Sequence, residues 1–155
     1  MHELVKHIYS YIGIVLLSLF FIIIGTQTNA EQSVEEIIKS RKALFSKNYS
    51  TAKRVQSFSS SLDFDEARDL MIEMSENYKV LLKLFPENTK VGYKTEALPL
   101  IWEEKEAFDK LMLKSSSDMI KLSSEIEETD DIRATLTKLM WSNCKACHSK
   151  YRKPH

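Results

Sequence analysis

Apolar residues are distributed along this chain in two different ways. From residue 8 to residue 24 they form a nearly unbroken run of Ile, Leu, Val and Phe without a charge. Beyond residue 33 they recur at helical spacing among charged and polar residues. Ser33 and Glu36 have the spacing of a capping box, which predicts a helix start. Val34, Ile37, Ile38, Leu44, Phe45, Ala52 and Val55 then fall near one face, until the Ser-rich stretch 56–63 ends the segment. A second helix is predicted from Asp65 to Leu84, with Ala67, Leu70, Met71, Met74, Tyr78, Leu81 and Leu82 in a 3-4-3-4 pattern. Pro86 breaks it, and the connection 86–98, with Gly92, is long enough to line a site. A third helix starts near Pro99, a residue tolerated in a first turn, and carries Trp102, Phe108, Leu111, Met112, Met119, Leu122 and Ile126. The polar run 127–131 breaks it, and Asp130 or Asp131 can cap the last helix. That helix places Ile132, Leu136, Leu139, Met140, Cys144, Cys147 and Tyr151 on its stripe. The pattern predicts an all-α, antiparallel, up-down-up-down four-helix bundle.

The N-terminal run has Lys6 before it and Gly25 after it, then small and polar residues ending at Ala30, with Thr28 and Ala30 at the −3 and −1 positions. This reads as a signal peptide over 1–30, cleaved after Ala30, followed by a domain over 31–155. The competing reading is an uncleaved anchor, because a run of this length sits at the lower edge of what spans a bilayer. In that case the N-terminal segment is the only contact with a membrane. Both readings export the rest of the chain.

The 22 Lys+Arg balance the 22 Asp+Glu, which argues against a nucleic-acid partner. Only 3 Gly and 3 Pro argue against an all-β fold and against Gly-rich nucleotide loops. The 2 cysteines are too few for a disulfide scaffold.

Those cysteines stand in Cys144-Lys145-Ala146-Cys147-His148, a C-x-x-C-H sequence. Cysteines three apart on a helix point to nearly the same side, where both can add to the vinyl groups of one haem. His148 projects from that face and can reach the iron. Covalent attachment with a His ligand is the c-type haem arrangement, which is assembled outside the cytoplasm and so agrees with export. Two alternatives are weaker. A redox dithiol is expected in a βαβ setting, whereas this pair lies in the last helix of an all-α chain. A zinc site needs four ligands, and Cys144, Cys147, His148 and His155 are all that the region offers.

A C-x-x-C-H near the C-terminus of a four-helix bundle resembles the cytochrome c′ family. The run 144–152, with Arg152 four residues after His148, looks like the family's haem helix. The run 96–102, ending Pro-Leu-Ile-Trp, looks like its loop-to-third-helix element, and 37–45 looks like its first-helix element. The resemblance implies one haem c, attached through Cys144 and Cys147, with His148 as the metal ligand. It implies that Arg152 lies beside that histidine and that Arg41 pairs with a haem propionate. Lys42 stands where many relatives have a haem-contacting Gln, and Glu96 where relatives place an acidic or polar residue near the haem. Without the resemblance, Arg41 and Glu96 read as surface charges and Trp102 as a core aromatic; with it they become haem-pocket residues.

In this family the residue four after the first-helix Arg faces the iron on the side opposite the histidine. Here it is Phe45, on the face of Arg41 by i, i+4 spacing. Phe has no lone pair to give a metal, and the Met residues fit the stripes of the second and third helices as core fillers. The resemblance therefore implies a five-coordinate iron that binds small neutral gases such as nitric oxide and carbon monoxide. The expectation is a periplasmic haem protein, not an enzyme, with electron transfer to an unidentified redox partner as an added role. The alternatives are a low-spin, six-coordinate electron carrier and an exported thiol oxidoreductase. The family often forms homodimers through its first two helices, for which Tyr49, Phe58 and Phe64 could supply exposed apolar surface.

Overall fold

Ser33 begins the first helix as its spacing predicts. Its Oγ accepts from the Glu36 amide at 3.2 Å, and its own amide donates to the Glu36 carboxylate at 2.8 Å. The computed structural model describes residues 32–154. The predicted signal or anchor segment, 1–30, lies outside them.

Helix α1 is Val34–Ser60, α2 Phe64–Leu81, α3 Leu100–Glu103, α4 Lys105–Glu125, α5 Ile132–Leu136 and α6 Ser142–Tyr151. A π-helical turn, Thr137–Trp141, joins α5 to α6. No strand is present among the described residues, only an isolated antiparallel bridge between Ala97 and Arg152. The rods are α1, α2, α3 with α4, and α5 through α6. Two short connections and one long one, between α2 and α3, join consecutive rods into the four-helix bundle. Packing is densest between α2 and α4 and between α1 and α2.

The ends and breaks of the helices test the sequence expectation, and two of them differ from it. The Ser-rich stretch 56–63 ends α1 as expected, but only after the helix has run on to Ser60. Ser60 Oγ turns back to the Gln56 carbonyl at 2.8 Å, so its hydroxyl is satisfied within the helix. The end is a Schellman motif: Asp63 N–H donates to Phe58 O at 2.9 Å, Leu62 N–H to Ser59 O at 3.3 Å, and Leu62 takes φ 64°. The third helix is not continuous, because Glu104 (φ −116°, ψ 41°) separates α3 from α4. The fourth contains the π turn, which periodicity does not reveal. The cap on α5 is Asp131, whose carboxylate accepts from the Ala134 amide at 2.9 Å.

The core is built from Met71, Met74, Leu81, Phe108, Met112, Met119, Leu122, Ile126 and Met140, each at most 1 % exposed. Burial of such side chains contributes about 1.5–3 kcal/mol each. Ser75 and Ser116 share a hydrogen bond of 2.8 Å across α2 and α4, which satisfies two buried hydroxyls. The stripe of α1 is buried at Ile38, Ala52 and Val55 but only half-buried at Leu44 and Phe45, and Phe45 borders a cavity. Phe58 and Phe64 are not exposed as expected; both are half-buried and packed on the core, whereas Tyr49 is exposed.

Candidate functional site

The end of α6 is tied down on two sides. Leu98 N–H donates to Tyr151 O at 3.0 Å, and Lys153 N–H to Glu96 O at 2.9 Å, zipping the long connection onto the helix end. Arg152 Nε donates to the Glu96 carboxylate at 2.8 Å across that bridge. On the other side Glu104, at the α3–α4 break, accepts from the Tyr151 hydroxyl at 3.1 Å and pairs with Lys150. Lys150 first, then Tyr151, hold the Glu104 carboxyl below its ordinary pKa. The polar break in the third rod thus has a structural use: it supplies the carboxylate that anchors the last helix.

These ties hold α6 along a cavity of about 560 Å³, within the range of small-molecule sites. Cys147, His148, Tyr151 and Arg152 line it from α6. Arg41, Lys42, Phe45, Ser46 and Tyr49 line it from α1, and Thr95, Glu96 and Ala97 from the connection. Its floor is aromatic. Phe45 meets Phe85 edge-on with ring centres 6.4 Å apart, Phe85 meets Phe108 at 4.7 Å, and Phe108 meets Tyr151 at 5.3 Å.

Arg41 is the unusual member, at 2 % exposure. Its guanidinium donates to Thr95 Oγ1 at 2.7 Å, Leu84 O at 3.2 Å, and Thr89 Oγ1 and Thr89 O at 3.3 Å each. It lies 4.5 Å from the Phe85 ring centre. All these hydrogen-bond acceptors are neutral, and burial pushes its pKa down to about 10, so it stays charged at neutral pH. A buried cation beside an apolar cavity, without a carboxylate of its own, fits a ligand that is largely apolar and carries an anionic group.

The family model for cytochrome c′ matches residues 36–152, which contain every wall of this cavity. The chain belongs to the cytochrome c′ family. A curated cytochrome c′ of Rhodopseudomonas palustris is 29% identical over 120 residues, 76% of this chain and 82% of the relative. A solved structure of cytochrome c′ from that organism aligns with TM-score 0.65 at 27% identity, covering 79% of this chain and 98% of the other. A nitric oxide complex of a variant cytochrome c′ from Alcaligenes xylosoxidans shares the fold, with TM-score 0.67, 22% identity, and coverage of 80% and 99%.

Haem c is the cofactor of the cytochrome c′ family, and the residues present fit it. The aromatic floor suits a macrocycle, Arg41 suits a propionate, and Cys144, Cys147 and His148 share the helix beside the cavity. Both cysteines are free thiols in the polypeptide. Burial, then the neighbouring Cys144, pushes the Cys147 thiol up to about 11. Burial also raises that of Cys144, partly opposed by a hydrogen bond with Tyr78. Such thiols are poor nucleophiles at neutral pH, which speaks against the dithiol reading.

Of the residues expected at the site, the cavity brings together Arg41, Lys42, Phe45, Glu96, Cys147, His148 and Arg152. Cys144 sits beside Tyr78, just off the lining. Trp102 also stands behind the wall, 8 % exposed, its Nε1 donating to Phe85 O at 3.0 Å, so it supports the floor and does not line it. Lys42 turns its Nζ to the Lys94 carbonyl at 3.3 Å. Sequence reasoning missed Thr89 and Thr95, which anchor Arg41, and Phe85, which stacks on it. Nothing in periodicity marks them, because they sit in the irregular connection or at its edge.

Proposed function

We propose that this cytochrome c′ is an exported, periplasmic haem protein whose five-coordinate iron binds nitric oxide and carbon monoxide and exchanges single electrons with a protein partner. In this reading Cys144 and Cys147 hold the haem, His148 is the axial ligand, and Phe45 covers the opposite side. It works by binding and redox change, without turnover.

The observation that carries the reading is the make-up of the cavity wall. Phe45 and His148 both line it, and no methionine among the described residues does. Met71, Met74, Met112, Met119 and Met140 are all buried in the core at 0–1 % exposure, where their sulfurs serve packing. An apolar ring over the open side favours small neutral ligands and offers no hydrogen bond to a charged one. The nitric oxide complex of the Alcaligenes xylosoxidans relative supports the same ligand class.

The test is the visible absorption spectrum of the full-length protein, oxidised and reduced, with and without carbon monoxide. The expected result is a high-spin reduced spectrum that shifts on adding the gas. Sharp low-spin bands unchanged by carbon monoxide would establish a sixth protein ligand and overturn the reading.

A further inference from the structure

Lysines on this molecule fall into two groups. Many of those on the helices are neutralised locally: Lys39 by Glu35, Lys47 by Glu73, Lys79 by Glu76 and Lys110 by Glu106. Four near the rim of the haem cavity are not, although Lys150 on α6 pairs with Glu104, and Lys83 and Lys138 away from the cavity also make no ion pair among the described residues. Lys42, Lys53, Lys94 and Lys153 make no ion pair among the described residues. Lys42 and Lys53 share a face of α1 with Ser46 and Tyr49, at i, i+4, i+7 and i+11. That face forms one lip of the cavity, since Lys42, Ser46 and Tyr49 line it. Lys53 Nζ lies 4.4 Å from the Tyr49 ring centre, extending the cationic stripe along the lip. Lys94 accepts from Lys42 through its backbone carbonyl, and Lys153 Nζ donates to Thr95 O at 3.3 Å, so both belong to the same rim. The single carboxylate in the lining, Glu96, is engaged by Arg152.

Apolar surface accompanies the charge. Val91 is 75 % exposed, Tyr93 52 % and Tyr49 56 %. Tyr93 and Lys94 sit on a tight turn with φ 47° and 53°, which holds them outward beside Lys42. Exposed tyrosines are the residue type enriched where proteins dock, and the lysines around them suit the polar, solvated rim of such a contact. Charge complementarity fixes the sign of the partner: a negative patch would be steered to this rim.

We propose that the rim formed by Lys42, Lys53, Lys94 and Lys153, with Tyr49 and Tyr93, is the docking surface for an acidic redox protein. This rests on the reading that the cavity holds a redox-active haem. With haem bound, a partner docked there would give one electron from its reduced centre to the ferric iron, the centre being oxidised as the iron is reduced, with no bond formed or broken. An acidic protein is favoured over an anionic membrane because the surface surrounds the opening of the cofactor site, where an electron has the shortest path.

The test uses the full chain with its haem attached and the double variant Lys53→Glu/Lys94→Glu, whose side chains lie outside the lining. Stopped-flow absorbance follows oxidation of the ferrous protein by hexacyanoferrate(III), an anion, and by tris(phenanthroline)cobalt(III), a cation, across ionic strength. It then follows reduction of the ferric protein by a reduced acidic ferredoxin. The expected result is a hexacyanoferrate rate that falls with salt and a cobalt rate that does not. The double variant should lose about tenfold in both the hexacyanoferrate and the ferredoxin rate at low ionic strength. Lys53→Arg/Lys94→Arg should retain both rates. Equal salt slopes for the two ions, or a ferredoxin rate untouched by charge reversal, would overturn the proposal. So would wild-type binding to phosphatidylglycerol vesicles that the double variant loses, since it would assign the rim to a membrane. Failure of the haem reading is separable: it shows as missing pigment or no carbon monoxide shift in the wild type, whatever the salt slopes.

Discussion

A guanidinium that is 2 % exposed and bonded only to neutral oxygens carries a charge that no carboxylate among the described residues balances. Arg41 therefore makes opposite demands on the protein with and without haem. In the haem-free chain its burial costs desolvation energy, offset by four hydrogen bonds and the face of Phe85. In the haem-loaded chain a propionate would supply the missing counter-charge. Arg41→Met removes the charge and keeps an apolar stem. We expect it to destabilise the haem-loaded protein by about 2–3 kcal/mol more than the haem-free chain, because only the former is left with an unpaired buried carboxylate. Denaturant unfolding of both forms measures the difference; equal shifts would reduce Arg41 to a structural strut. Arg41 was legible in sequence through its spacing to Phe45 and its place in the first-helix motif. Its partners were not, because Thr89 and Thr95 are brought to it by a connection with no periodicity to read.

At the scale of elements, the helix ends carry the testable strain. Leu62 occupies the left-handed position of the Schellman motif that closes α1, where glycine is the usual residue. Its side chain is 66 % exposed, so removing it forfeits little packing. The left-handed conformation costs a β-carbon about 1–2 kcal/mol, and glycine's extra unfolded-state entropy returns about 0.5–1 kcal/mol of that. Leu62→Gly is thus expected to stabilise the protein by about 0.5–1 kcal/mol, seen as a raised Tm with unchanged helix content. The break at Glu104 has an electrostatic signature. Lys150 and Tyr151 hold its carboxyl below the ordinary value of 4.5, so the folded state binds this proton less readily than the unfolded one. The contribution is fully present above about 4.5 and is lost as the pH falls through the lower folded-state pKa. Between pH 6 and pH 3, roughly the span across which such a carboxyl titrates, Glu104→Gln should lose less Tm than the wild type. The Glu104 kink and the π turn at Thr137–Trp141 escaped the sequence reading because the apolar stripe runs through both without a breaker residue. The Ser33–Glu36 cap and the Asp131 cap were readable because their chemistry is local.

The whole molecule divides between a packed end and a cofactor end, and that division decides what the polypeptide does without its prosthetic group. Four rods and their order were written in the apolar spacing, and the haem helix in five consecutive residues. The cavity was not, because it is the place where the stripe of α1 stops being buried and faces a group the sequence does not encode. Met71, Met74, Met112, Met119 and Leu122 pack α2 on α4 with no residue of that wall among them. Cys147, His148 and Arg152, by contrast, surround about 560 Å³ that side chains do not fill. A chain in which Cys144→Ala and Cys147→Ala prevent attachment should therefore keep its far-ultraviolet helix signal and slow amide exchange in α2 and α4. Exchange in α6 and in the connection 86–98 should rise more than in α2 and α4, since those segments form the cavity wall and meet the bundle through a few polar ties instead of a packed face. Hydrogen exchange read by mass spectrometry resolves the two regions. Uniform fast exchange in all rods would mean that the haem organises the entire bundle. Uniform slow exchange would mean that the Glu104 and Glu96 ties hold α6 in place without it.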